Sequence, residues 1–155
     1  MRSHGLRVAL PAAGQGGAAR DAARARRHLQ RPPLPFVNET RALHWSEAQA
    51  FCNRYGYHLV TIDDAAENTW IGNTIYMRGT EGYCWWMGLD DRAAPGTWVW
   101  ADGSPSTFRS WAPGEPNMGP EQCGCVWRVG SMPAGSWNDA QCETASPEPF
   151  VCESP

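Results

Sequence analysis

The chain has 155 residues, enough for one domain with a tail, and a hydrophobic content of 42% allows a modest buried core. All 13 basic residues are arginine; seven fall in residues 1–33 against the single acid Asp21, and six in residues 34–155 against fifteen acids, so a segment near +6 precedes one near −9. An acidic body of this kind is a poor match to a polyanion, and no apolar run approaches the length needed to cross a membrane.

Residues 1–33 are rich in alanine, glycine and arginine. The stretch "ARDAARARRHLQ" has helix-forming composition but no apolar stripe with which to dock, so a disordered basic leader or arm is expected. Read as an arm, its arginines would suit nucleic acid or anionic lipid; the leader reading is preferred, and no nucleic-acid partner is expected. "LRVALPAAG" is too short, and too soon broken by Pro11, to serve as an export signal. "RPPLP" reads as a stiff linker into a body at residues 34–155.

The body begins with "HWSEAQAFCNRYG", whose apolar residues Trp45, Ala48, Phe51, Cys52 and Tyr55 share one helical face and whose Gly56 suits a helix stop. A short strand-like run, "HLVTI", follows at 58–62. "DDAAENTWIGNTI" reads as a second helix, with Asp64 and Glu67 in capping-box spacing and Trp70, Ile71 and Ile75 on one side. Asp63, Asp64 and Glu67 are therefore helix-capping groups in this reading, not metal ligands. Beyond residue 79 the pattern changes to short β runs divided by Gly, Pro, Asn and Asp: "YCWWMGL", "TWVWADG", "CGCVWRV", "SWND" and "FVC". Two helices followed by many short strands make an α+β pattern.

Six cysteines in a small domain predict a disulfide framework and an oxidising compartment. Zinc is disfavoured because Cys123-Gly-Cys125 is not a C-x-x-C pair and all four histidines lie far upstream. "GEPNMGPEQC" at 114–123 gathers Glu115, Asn117 and Glu121 beside a cysteine, and "WND" adds Asn138 and Asp139 about twenty residues on. Calcium takes six to eight oxygens from such carboxylates and amides. From donor chemistry alone, a calcium site and a plain polar turn stand level.

An ordered set of segments tips that balance. "WSEAQAFCNRYGYHLVTI", "WWMGLDD", "TWVWADGSP", "WAPGEPN", "EQC", "SWNDAQC" and "FVCE" occur in the order found in the C-type lectin-like domain, which residues 36–153 resemble. The resemblance implies two helices packed on two small antiparallel sheets, with a long loop region and disulfides Cys52–Cys152 and Cys123–Cys142. Cys84 and Cys125 are additional to that pattern; a third bridge between them and two buried free thiols are the alternatives.

By the same resemblance, Glu115, Asn117, Glu121, Asn138 and Asp139 would hold one calcium ion and bind the sugar directly, with the Asp139 carbonyl as a further ligand and a cis bond before Pro116. Glu-Pro-Asn resembles the mannose-type triplet, suited to mannose, N-acetylglucosamine, glucose or fucose, where Gln-Pro-Asp would indicate galactose. Two departures stand out. Only Met118, Gly119 and Pro120 separate Asn117 from Glu121, and the family's auxiliary calcium site keeps Asp91 but has Pro95, Met118 and Gln122 at its other positions. Trp86, Trp98, Trp100 and Trp111 are expected in the core, Trp137 as the anchor of "WND", and Trp127 and Arg128 at the border of the sugar site.

The expected function is non-catalytic, calcium-dependent carbohydrate binding in an extracellular or secreted setting. The alternative is a lectin-like fold that binds a protein or other surface ligand without sugar. Paired carboxylates raise the thought of glycoside hydrolysis, but they are expected to converge on a metal, and no nucleophile–base pair stands out.

Overall fold

The computed structural model describes residues 36–37, 42–78, 84–117, 119–127, 133–143 and 147–155. The leader expected at residues 1–33, together with Met118 and Arg128, lies outside them.

The first short strand is β1 (Phe36–Val37). Helix α1 (Trp45–Arg54) follows; the Glu47 carboxylate accepts from the His44 backbone N–H at its start, and Gly56 at φ 77° ends it. Trp45, Ala48 and Cys52 form its buried face as expected, whereas Tyr55 is 59% exposed and covers the ring of the half-buried Phe51 at 5.0 Å. β2 (His58–Leu59) is shorter than the apolar run that predicted it.

Helix α2 (Ala65–Met77) is capped by Asp64, whose carboxylate accepts from the N–H groups of Ala66 and Glu67, both at 2.9 Å. Glu67 reaches back one residue further than a capping box requires and accepts from the Asp63 N–H at 2.9 Å. The buried face is Glu67, Asn68, Ile71, Gly72 and Ile75, while Trp70 is 47% exposed. At about 100° per residue, Trp70 stands off the 68–71–75 line of the buried face, so it does not share the side of Ile71 and Ile75 on which the sequence placed it.

The remaining strands are β3 (Cys84–Asp90), β4 (Val99–Trp100), β5 (Cys123–Trp127), β6 (Trp137–Ala140) and β7 (Phe150–Glu153). They join one sheet in the order β1-β7-β3-β5-β6, with β2 added on β7 and β4 on β3. The expected α+β fold is present, but the strands form one mixed sheet where two antiparallel sheets were expected. The reason is β7, which returns parallel to β3 at Trp86–Phe150, so that two wholly buried strands meet at the centre.

Alternation along β3 sends Trp85, Met87 and Leu89 into one apolar cluster and Cys84 and Trp86 into another. The β3–β5 register shifts between Trp86 and Asp90, and the groups released there find other partners. Trp45 Nε1 donates to the Met87 carbonyl at 2.9 Å, and the Gly88 N–H donates to the Val60 carbonyl at 2.9 Å. The second of these contacts needs glycine: a Cβ on Gly88 would stand 2.8 Å from the Leu59 carbonyl oxygen.

All six cysteines are paired, as Cys52–Cys152, Cys123–Cys142 and Cys84–Cys125. The first closes 100 residues of chain and ties α1 to β7; the third joins β3 to β5 and decides the pairing that the sequence left open. Trp86, Trp100 and Trp137 are buried, and Trp98 and Trp111 pack half-buried against the core, as the sequence led us to expect.

Candidate metal centre

Residues 101–117 and 119–122 form a loop with little regular structure, and side chains hold its backbone in place. The Arg109 guanidinium donates to the carbonyls of Phe108 (2.7 Å), Trp98 (2.9 Å) and Ser106 (3.2 Å). Burial lowers the Arg109 pKa from its ordinary value. Trp100 Nε1 donates to the same Ser106 carbonyl at 3.0 Å. The middle of this loop meets β6: the Trp137 N–H donates to the Ser110 carbonyl and the Ala112 N–H to the Trp137 carbonyl, both at 2.9 Å. From Ala112 the chain turns through Gly114 at φ 93°, and the Glu115 N–H donates back to the Ala112 carbonyl at 3.0 Å.

This turn brings the two quoted segments together. The Glu115–Pro116 peptide bond is cis, as expected. The Asn117 N–H donates to Asp139 Oδ1 at 3.1 Å, across 22 residues of sequence. Asp139 is fully buried on β6, opposite Gly124 of β5, and Asn138 stands opposite Cys125. The Cys123–Cys142 disulfide and the Gln122 N–H, which donates to the Ala140 carbonyl at 3.1 Å, pin the segment after Glu121 to the same edge.

The electrostatics are those of crowded acids. Burial raises the Glu115 carboxyl above its ordinary pKa; a hydrogen bond and charge repulsion from Asp139 add to the rise, with a further push from the Glu121 charge. Glu121 is raised by burial and then by the Asp139 charge, against a hydrogen bond from the Asn117 side chain. All of Glu115, Asn117, Glu121 and Asp139 therefore interact. Asn138 joins them through its Nδ2, which donates to the Asp139 carbonyl at 2.7 Å.

Two oxygens in this group, Glu115 Oε2 and Asn138 Oδ1, are buried without a hydrogen-bond partner. Both are acceptors, and a buried acceptor left unmatched costs free energy that a cation would recover. Among the described residues no three His, Cys, Asp or Glu side chains form a metal cluster by themselves. The donor set is instead carboxylates mixed with amides, all hard oxygens, which fits calcium and not a softer metal. At the neighbouring Asp91, Oδ2 accepts from the Gly96 N–H at 2.7 Å, so one of its two oxygens is already engaged by its own loop.

The residues match a known family model, Lectin C-type domain, over residues 41–154. The chain belongs to the C-type lectin domain family. It is 38% identical over 110 residues to human C-type lectin domain family 17 member A, covering 70% of this chain and 26% of that protein. It is 31% identical over 115 residues to the C-type lectin mannose-binding isoform of Oxyuranus scutellatus, covering 70% of this chain and 69% of that protein. The chain thus spans about a quarter of the human relative and about two thirds of the snake one. Among solved structures, the mouse scavenger receptor C-type lectin carbohydrate-recognition domain superposes with a TM-score of 0.62 at 31% identity, over 79% of this chain and 90% of that one.

Every one of the five residues singled out from the sequence of this C-type lectin domain lies at this meeting of loop and strand. Two further residues serve it that sequence reasoning passed over. Ser110, through its carbonyl, holds Trp137 in register, and Asn68 of α2 accepts from Trp137 Nε1 at 2.7 Å. The only hint of Asn68 in the sequence was a polar residue on the apolar side of a helix. Trp127 is half-buried and packs against the second apolar cluster, so its body belongs to the core.

Proposed function

We propose that this domain binds carbohydrate through one calcium ion, without catalysing a reaction, and that its preference is mannose-type. The observation that carries the reading is the pair of buried, partnerless acceptor oxygens on Glu115 and Asn138, set among the interacting acids Glu121 and Asp139. Glu115, Asn117, Glu121, Asn138 and Asp139 would hold the ion, which would supply Lewis-acid attraction for a pair of sugar hydroxyls. The asparagine amides would donate to those hydroxyls and the glutamates accept from them, so that each side chain serves ion and sugar together.

Glu-Pro-Asn at 115–117 supports the mannose-type preference, and the name of the snake relative agrees with it. Full pairing of the cysteines supports an extracellular or secreted setting. Among the described residues no helix is long and apolar enough to cross a membrane.

The test is calorimetric titration of calcium into the oxidised protein, followed by mannose, with galactose as control. One calcium per chain, and mannose heat that vanishes on chelation, is the expected result. No calcium heat at millimolar concentration would overturn the metal assignment. Calcium heat without a sugar response would transfer the reading to a protein or other surface ligand.

A further inference from the structure

Asn68 lies on α2, 69 residues from Trp137, with 6% of its surface exposed, yet every polar atom of its amide is used. Its Nδ2 donates to the Gly135 carbonyl at 2.8 Å and to Ser110 Oγ at 3.2 Å, and its Oδ1 accepts from Trp137 Nε1 at 2.7 Å. One buried side chain therefore touches the turn before β6, the tryptophan that opens β6, and the middle of the long loop. These are the two segments that carry the acid cluster. Trp137 is followed directly by Asn138 and Asp139, and its backbone holds Ser110 and Ala112, from which Glu115 hangs.

Backbone packing reinforces the contact independently of the amide. Gly135 adopts φ 86°, and a Cβ there would stand 2.6 Å from Asn68 Nδ2 and 2.9 Å from the Asn68 carbonyl oxygen. A Cβ on Gly72, one helical turn after Asn68, would fall on the Gly135 backbone nitrogen, with the Ala134 carbonyl carbon at 2.7 Å. The turn at 133–136 thus lies directly on the α2 backbone, and only glycine at both places permits it.

We propose that Asn68 is a positioning residue for the calcium site: it fixes Trp137 against α2 and thereby sets the spacing between Glu115–Asn117 and Asn138–Asp139. The inference rests on the calcium reading given above. Asn68 touches no ion and no sugar; it acts through Trp137, Gly135 and Ser110. Residues that orient metal ligands from behind typically change affinity by about 10- to 100-fold when lost.

Asn68→Leu keeps the size of the side chain and removes all three hydrogen bonds. We expect its calcium Kd to weaken by about tenfold or more in protein that near-ultraviolet circular dichroism shows to be folded. In the calcium-free state, amide exchange should quicken at 110–117 and 137–140 and stay unchanged along α1. An unaltered calcium Kd in folded Asn68→Leu, or exchange that quickens equally everywhere, would overturn the proposal and leave Asn68 a general stability residue. Should Asn68→Leu fail to fold, Ser110→Ala removes one of the three bonds of the same amide without adding an atom, and the same two readouts apply, with a smaller shift expected. If the unaltered protein binds no calcium, the calcium reading fails on its own account, and the exchange pattern still decides whether Asn68 spaces the two segments.

Discussion

The centre of the sheet and the long loop are held together by different means. Around β3 and β7 the backbone is paired strand to strand, both strands are buried along their whole length, and Cys52–Cys152 closes 100 residues of chain over them. Among the described residues between 101 and 122 strand pairing is nearly absent, and the backbone is held by single side chains, Arg109 and the Trp100 indole, while Asn68 bonds the Ser110 side chain in mid-loop. The first region is held mainly by repeated backbone hydrogen bonds. The second depends on a few groups, and it carries Glu115 and Glu121, while Asp139 comes from β6. Side chains displayed on irregular backbone need a rigid frame beneath them, and this domain divides those two tasks between its loop and its sheet.

The frame is most sensitive at its long-range disulfide. Replacing Cys52 and Cys152 together with alanine should cost about 4–5 kcal/mol, the chain-entropy value for a loop of this size. Denaturant unfolding measures it. The calcium affinity of the fraction that remains folded should hardly change, because the bridge lies in the frame and not in the loop.

Arg109→Met should do the reverse. The apolar stem keeps its packing while the carbonyls of Phe108, Trp98 and Ser106 lose a charged donor, at a cost of about 2 kcal/mol since water recovers part of the loss. Here calcium affinity should fall along with stability. Equal calcium affinity in Arg109→Met and the unaltered protein would show that the loop holds its acids without this clamp.

Glu115→Gln sharpens the contrast with the smallest effect on stability and a large one on binding. Burial and the Asp139 and Glu121 carboxylates raise the Glu115 pKa, so the folded calcium-free protein retains this proton to higher pH than the unfolded chain does. Its stability must therefore decline as pH rises from the ordinary carboxylate range through the raised value. Glu115→Gln should flatten that decline, read as Tm against pH in chelator. Calcium reverses the sign: protons compete for the same oxygens, so affinity should fall as pH drops through this window, and Glu115→Gln should weaken calcium by about tenfold or more at neutral pH. A calcium Kd unmoved by both pH and the substitution would remove Glu115 from the ligand set.

Much of this was legible before any coordinates. Asp64 as a helix cap, Gly56 as a stop, and Trp86 and Trp100 as core follow from local chemistry, because caps, turns and apolar strand residues act where they stand in the chain. Cys52 bound to Cys152 was instead implied by the family resemblance of the ordered segments. Glu115, Asn117, Glu121, Asn138 and Asp139 stood out by their oxygen atoms, and the resemblance grouped them into one set; the folded structure brings that set to one place. The sequence did not show that β7 would run parallel to β3, that Trp70 would stay half-exposed, or that Cys84 would pair with Cys125. Nor did it show that an amide on α2 would reach the indole before Asn138. Each of those depends on which surfaces meet across tens of residues. Hydrophobic period and turn chemistry are local signals, whereas long-range pairing is chosen by burial of the whole chain at once, so only the folded structure decides it.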